Sequence, residues 1–188
     1  MTVGVGGGLP VGSLVLQVDP STLTGAPRPV LASASLLLTV LFGGGALYRY
    51  GGRIDGAADA SMASPLVSAI YGVMAYGMVG FLTAYTFDQL LRLGGGGVVA
   101  TLLTAAFAVV VFSLSGLGFA VVGVWLARSV GGRDPWLGLI GAGIVGALAW
   151  LLLPFLFGLL VTLAIAAVGV GGPTRQWVHG TTVEVEEG

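Results

Sequence analysis

The chain has no cysteine, no lysine and a single histidine, and it carries little charge of either sign: eight acids and seven bases in 188 residues. Each shortage excludes something. Without cysteine there is no disulfide, no thiol nucleophile and no iron–sulfur ligation. Without lysine, every base is an arginine: Arg28, Arg49, Arg53, Arg92, Arg128, Arg133 and Arg175. A net charge of −1 leaves no basic field for nucleic acid. Charged residues make up 8% of the chain, against roughly 25% in an ordinary soluble domain. That is too few to coat a water-facing surface, whereas a lipid-facing surface needs none.

Apolar residues fill the space that charge leaves, at 56% of the chain. The opening MTVGVGGGLPVGSLVLQV has no basic lead and is broken by glycines and Pro10, so neither a signal peptide nor a spanning helix is expected there. Residues 1–29 read as a Gly/Pro/Thr-rich tail. A membrane-crossing helix needs roughly 20 apolar residues, and residues 30–48 are the first run to supply them. Arg49, Tyr50 and Arg53 close that run, and RYGGRIDGAADASMAS reads as a polar loop. Ser64 and Pro65 then form a cap-plus-proline helix start, with apolar character to Phe87 and an end at Gly94 to Gly97.

Residues 98–127 form one unbroken apolar run, roughly 45 Å as a helix. That exceeds the hydrocarbon thickness, and Ser115-Gly116 is the expected bend. Asp134-Pro135 repeats the cap-plus-proline signal. The apolar stretch after it is interrupted only by Pro154, so it predicts two short helices, 136–153 and 155–170, closed by Gly171, Gly172 and Pro173. The expected fold is an all-α integral membrane bundle of about five transmembrane helices, the last two a short Gly-rich helical hairpin. Its domain occupies 30–172, with an interfacial and acidic tail at 173–188.

Orientation follows from the arginines. With the N-terminus outside and the C-terminus cytoplasmic, Arg49, Arg53, Arg128, Arg133 and Arg175 lie inside, and Arg28 and Arg92 outside. The aromatic residues Tyr48, Tyr50, Trp125, Trp136 and Trp177 fall at the same inner boundary.

No catalytic, cofactor or metal constellation is legible. Residues 141–146 match G-x-G-x-x-G, but inside an apolar helix and with no acid between Asp134 and Glu184, which is not a dinucleotide site. Small residues four apart are better explained as helix-packing faces that let backbones approach. They are Gly138, Ala142 and Gly146 on one helix, and Gly116 and Ala120 on another. His179 has no ligand at metal spacing and lies beyond the expected last helix. The hydroxyls of Thr83, Thr101, Thr104, Ser113 and Ser115 lack a base and an orienting acid. No charge falls near the middle of any run, where coupled transporters need one.

Four segments, GGALYRYGGRIDGAADASMASPLVSAIYG (44–72), SGLGFAVVGVWLA (115–127), DPWLGLIGAGIVGAL (134–148) and VGVGGPTRQWVHG (168–180), resemble uncharacterised multi-pass membrane proteins of halophilic archaea. The all-arginine base set suits such a source. The last three are also similar to the membrane module appended to bactofilin-type, polymer-forming domains. This chain carries no repetitive β-helical segment, and the resemblance brings no catalytic residue.

The expected function is therefore a structural or interaction (scaffold) component of the cell membrane, not an enzyme. Its partners would be the lipid bilayer and either a protein partner or further copies in a homo-oligomer. The competing reading is a small oligomeric channel or transporter subunit, for which Tyr76, Thr83, Tyr85 and Gln89 supply a ragged polar stripe. One consequence is local. Asp88 and Arg92 are spaced i, i+4 at a helix end, the favourable order for a boundary ion pair. Such a pair is worth only about 0.3–0.5 kcal/mol when exposed. Arg92→Ala is expected to leave thermal stability nearly unchanged; a large loss, rescued by Asp88→Ala, would show a buried, coupled pair.

Overall fold

The computed structural model describes residues 25–92, 97–132 and 134–179. Every regular element among them is helical: α1 (Arg28–Leu38), a π-helical turn (Thr39–Gly43), α2 (Gly44–Ala63), α3 (Pro65–Arg92), α4 (Val98–Ser129), α5 (Pro135–Leu152) and α6 (Phe155–His179). Because α1, the π turn and α2 run on as one 36-residue helix, the described residues form five helices long and apolar enough to cross a membrane. The readings made for residues 1–24, 93–96, Arg133 and 180–188 lie outside the described residues.

Local chemistry explains most helix ends. Asp134 caps α5, its carboxylate accepting from the Trp136 N–H at 2.9 Å, with Pro135 as first helical residue. Pro154 stops the same helix by forcing Leu153 into extended geometry (φ −98, ψ 157). At the end of α4, Gly131 is left-handed (φ 76). Its N–H reaches the Arg128 carbonyl at 3.0 Å, and the Gly132 N–H reaches that of Ala127 at 2.8 Å. That double closure needs a glycine at the left-handed position.

The core is made of small residues. Ala57, Ala58, Ala120, Ala142, Ala166 and Ala167 are buried, and only Phe119, Ile54, Leu139 and Val121 are large and fully enclosed. The large apolar side chains point outward, for example Leu37, Met74, Phe81, Leu102 and Leu160. Water-soluble packing does the opposite, since burying a large apolar side chain stabilises by about 1.5–3 kcal/mol. Here the helices approach on backbone. A methyl group at Gly171 of α6 would overlap the Ser68 carbonyl of α3, and one at Gly72 would overlap that of Ala167. These contacts run α3 antiparallel to α6. Gly123 against Gly138, and Phe119 against Gly146, likewise set α4 antiparallel to α5.

Three expectations are corrected. Residues 49–64 are not a loop: α2 continues to Ala63, and only Tyr50 leaves helical geometry (φ −130, ψ 19). Ile54, Ala57, Ala58 and Ser61 recur at helical spacing and form its buried stripe, while Arg53, Asp55, Gly56 and Asp59 stay outside. Ser115-Gly116 does not interrupt α4, which is helical from Val98 to Ser129. The irregularities sit instead at the π turn and at Tyr50.

Lastly, α6 does not end at Gly171-Gly172-Pro173 but passes through Pro173 to His179, a helix of 25 residues. Pro173 has no N–H for the Gly169 carbonyl one turn back. The Ser61 hydroxyl of α2 donates to that oxygen instead, at 3.3 Å. The Ser61 carbonyl lies in the last turn of α2, where the end of the helix leaves it no backbone donor, and the Ser68 hydroxyl donates to it at 3.2 Å. Both serines are completely buried. One replaces the donor that Pro173 removed and the other a donor lost at the end of α2, and together they tie α2, α3 and α6 into one node.

The close approach makes a directional prediction. Gly171→Leu drives a side chain into the α3 backbone and is expected to destabilise by at least about 1–3 kcal/mol, the usual range for overpacking. Gly77→Leu, on a part of α3 with nothing within 4 Å of the added carbon, is expected to be tolerated. Thermal unfolding of both variants in detergent checks the pair; equal midpoints would show that the α3–α6 contact is not as close as described.

Candidate functional site

Beyond the serine node, three places among the described residues bring polar side chains into contact. The first is an ionic clasp. α4 ends at one side of α2, and Arg128 donates from Nη2 to Asp55 at 2.5 Å and from Nη1 to Asp59 at 2.8 Å. Asp55 and Asp59 are i, i+4 on the outward side of α2. Like charges at that spacing repel, and one guanidinium bridging both removes the repulsion. Arg128 is 42% exposed and the two acids more so, which places the clasp at a solvent-accessible end. The sequence carried a signal for it, two acids one turn apart, which the loop reading of 49–64 concealed.

The second is the other ion pair. Arg92 Nε donates to Asp88 at 2.7 Å, with both side chains more than half exposed.

The third is interior. A cavity of about 380 Å³ lies between α1, α3, α4, α5 and α6, walled by side chains such as Leu31, Phe112, Phe119, Trp150 and Leu163. On its wall the Tyr76 hydroxyl of α3 and the Ser115 hydroxyl of α4 share a hydrogen bond of 2.9 Å. The remaining hydroxyls of the ragged stripe do not join it. Thr83 donates to the Val79 carbonyl of its own helix at 2.7 Å. Tyr85 stacks with Phe81 on the exposed side of α3, ring centroids 6.4 Å apart. Thr101 and Thr104 bond carbonyls of their own helix. Among the described residues, no buried side-chain nitrogen or oxygen lacks a partner.

The small residues singled out from sequence lie as follows. Gly138 meets the Gly123 backbone, and a carbon added to Gly146 would stand 3.1 Å from the Phe119 ring. Ala142 is 3% exposed. Gly116 lies against Phe42 and Gly43 at the π turn, and Ala120 is fully enclosed in the core cluster with Phe119 and Leu139. Gly138 is thus among the closest approaches in the fold, while the comparably close contacts of Gly72, Gly169, Gly171 and Gly172 were not picked out by spacing. Among the described residues, no group of three or more histidine, aspartate or glutamate side chains could hold a metal ion. Chemically, the arrangement offers hydrogen bonds and charge at the helix ends and close contact between them.

Neither a family model, nor a curated protein, nor a solved structure matches the chain.

The clasp is testable by cycle. Arg128→Gln leaves two like charges one turn apart and is expected to lower stability by about 1 kcal/mol, the upper range for an exposed pair. Asp55→Asn with Asp59→Asn in that background should recover most of the loss. No recovery would show that Arg128 acts through packing of its stem and not through the two carboxylates.

Proposed function

We propose that the chain is an integral protein of the cell membrane, crossing it five times, and that it serves as a structural or interaction (scaffold) component. The observation that carries this reading is the inverted distribution of side chains: large apolar groups outside, alanine and glycine inside, and the described charges at helix ends or on α2. In lipid there is little gain from burying leucine, and helices associate through close backbone contact and interhelical hydrogen bonds. Hydroxyls used between or within helices, as in the serine node and the Tyr76–Ser115 pair, support a rigid bundle over a polar-lined pore. The resemblance to halophile membrane proteins and to the bactofilin-associated module supports an anchoring role. α5 and α6, joined at Leu153-Pro154, form the glycine-rich hairpin of that module, with α6 longer than a shallow hairpin needs.

The orientation is N-terminus outside, C-terminus cytoplasmic. Arg49, Arg53, Arg128 and Arg175 then face the cytoplasm with the aromatic belt of Tyr48, Tyr50, Trp125 and Trp136. The clasp on α2 would be the cytoplasmic contact surface.

Two measurements test this. A cysteine at Gly56, which is exposed with nothing within 4 Å of the added carbon, is expected to react with a membrane-impermeant reagent in inverted vesicles and not in intact cells. Labelling in intact cells reverses the orientation. Proteoliposomes are expected to release trapped ions and small solutes no faster than empty vesicles; protein-dependent release would favour the channel reading.

A further inference from the structure

The arginines at the α2 end are not equivalent. Arg128 is neutralised by Asp55 and Asp59, whereas Arg49 and Arg53 form no salt bridge among the described residues. These two stand four positions apart, on either side of the irregular Tyr50, and both are exposed. Although Tyr50 interrupts the helical register between them, both border one recess with Tyr50, Gly51 and Gly52. The Arg49 guanidinium already rests 5.6 Å from the centroid of the Tyr50 ring, an arrangement that holds it beside the break in the helix.

Beneath them the chain leaves space. Residues 51, 52 and 56 are all glycine, and nothing lies within 4 Å of where their side chains would begin. The result is a slot of about 650 Å³ between α2, α4 and α6, with Arg53 at its edge and Ile54, Leu117, Val121 and Pro173 along it. A second recess of about 360 Å³ continues it past Arg49. Such volumes are those of small-molecule sites. An apolar slot with two unpaired guanidiniums at its mouth is complementary to one class of occupant, an anion carrying a hydrocarbon chain. Guanidinium binds phosphate by paired, charge-assisted hydrogen bonds, and basic pockets between membrane helices hold anionic headgroups.

We infer that this slot binds an anionic phospholipid, its phosphate between Arg49 and Arg53 and an acyl chain along Leu117 and Pro173. Glycine at 51, 52 and 56 then has a purpose that helix propensity does not supply, since each costs about 1 kcal/mol relative to alanine. The inference rests on the membrane reading above.

The test uses the full chain purified in a neutral detergent, titrated with phosphatidylglycerol, phosphatidylcholine or glycerol 3-phosphate, with bound lipid counted by native mass spectrometry. Phosphatidylglycerol is expected to bind in preference to phosphatidylcholine, and glycerol 3-phosphate is not expected to displace it. R49Q/R53Q should weaken phosphatidylglycerol binding about thirtyfold, given the usual contribution of an arginine near an anionic headgroup. Gly52→Leu, which fills the slot and keeps both arginines, should weaken it comparably. Equal binding of both lipids, or unchanged binding by R49Q/R53Q, overturns the inference. Displacement by glycerol 3-phosphate also overturns it, because the site would then belong to a free phosphate. A chain that stays in solution without detergent overturns the membrane reading instead.

Discussion

A single carbonyl, that of Gly169, sets the terms for much of this fold. Pro173 leaves it without a helical donor, and no water is available to it because the surrounding node is completely buried. An unmet buried carbonyl costs about 1–3 kcal/mol. The Ser61 hydroxyl meets it from another helix, so α6 can pass its proline only where α2 is helical and packed against it. α2 in turn needs its own last carbonyls satisfied, and Ser68 supplies one from α3. Three helices are therefore committed to one another by two hydroxyls, one interior proline and one helix end.

The small residues follow from the same constraint. A hydroxyl reaches a neighbouring backbone only if the helices are close, and Gly72, Gly171 and Gly172 remove the side chains that would hold them apart. In water this arrangement would waste the apolar surface it leaves outside; in lipid that surface is solvated and the close contact is what stabilises association. The inverted exterior, the glycine contacts and the buried serines are thus what the proposed lipid environment would favour together. The charged end is separate. The Arg128 clasp is exposed, screened and modest in energy, and among the described residues Arg49 and Arg53 take no part in it or in another salt bridge.

The helices that were legible in the sequence are those defined by runs of apolar residues and by proline with a cap. α3, α4 and α5 start where Ser64-Pro65, Gly97 and Asp134-Pro135 place them. α2 was not legible because its composition averages to polar: Gly, Asp and Arg surround a buried stripe of Ile54, Ala57, Ala58 and Ser61, three of which are small. The continuation of α6 was hidden for a different reason. Gly171-Gly172-Pro173 is a helix stop by every local rule, and the donor that overrides it lies 108 residues away from its acceptor. The clasp had the same difficulty, its partners being 69 and 73 residues apart. Local signals fixed the helix starts; contacts between distant segments decided where helices end and what the charges do.

The direct measurement is a double-mutant cycle between Ser61 and Pro173, read as thermal unfolding in detergent. Ser61→Ala alone should destabilise by about 1–3 kcal/mol, because the Gly169 carbonyl is left buried and unpaired. Pro173→Ala returns a backbone N–H one turn from that carbonyl, so Ser61→Ala in the Pro173→Ala background should cost much less. Equal cost in both backgrounds would contradict the claim that the serine stands in for the donor the proline removes.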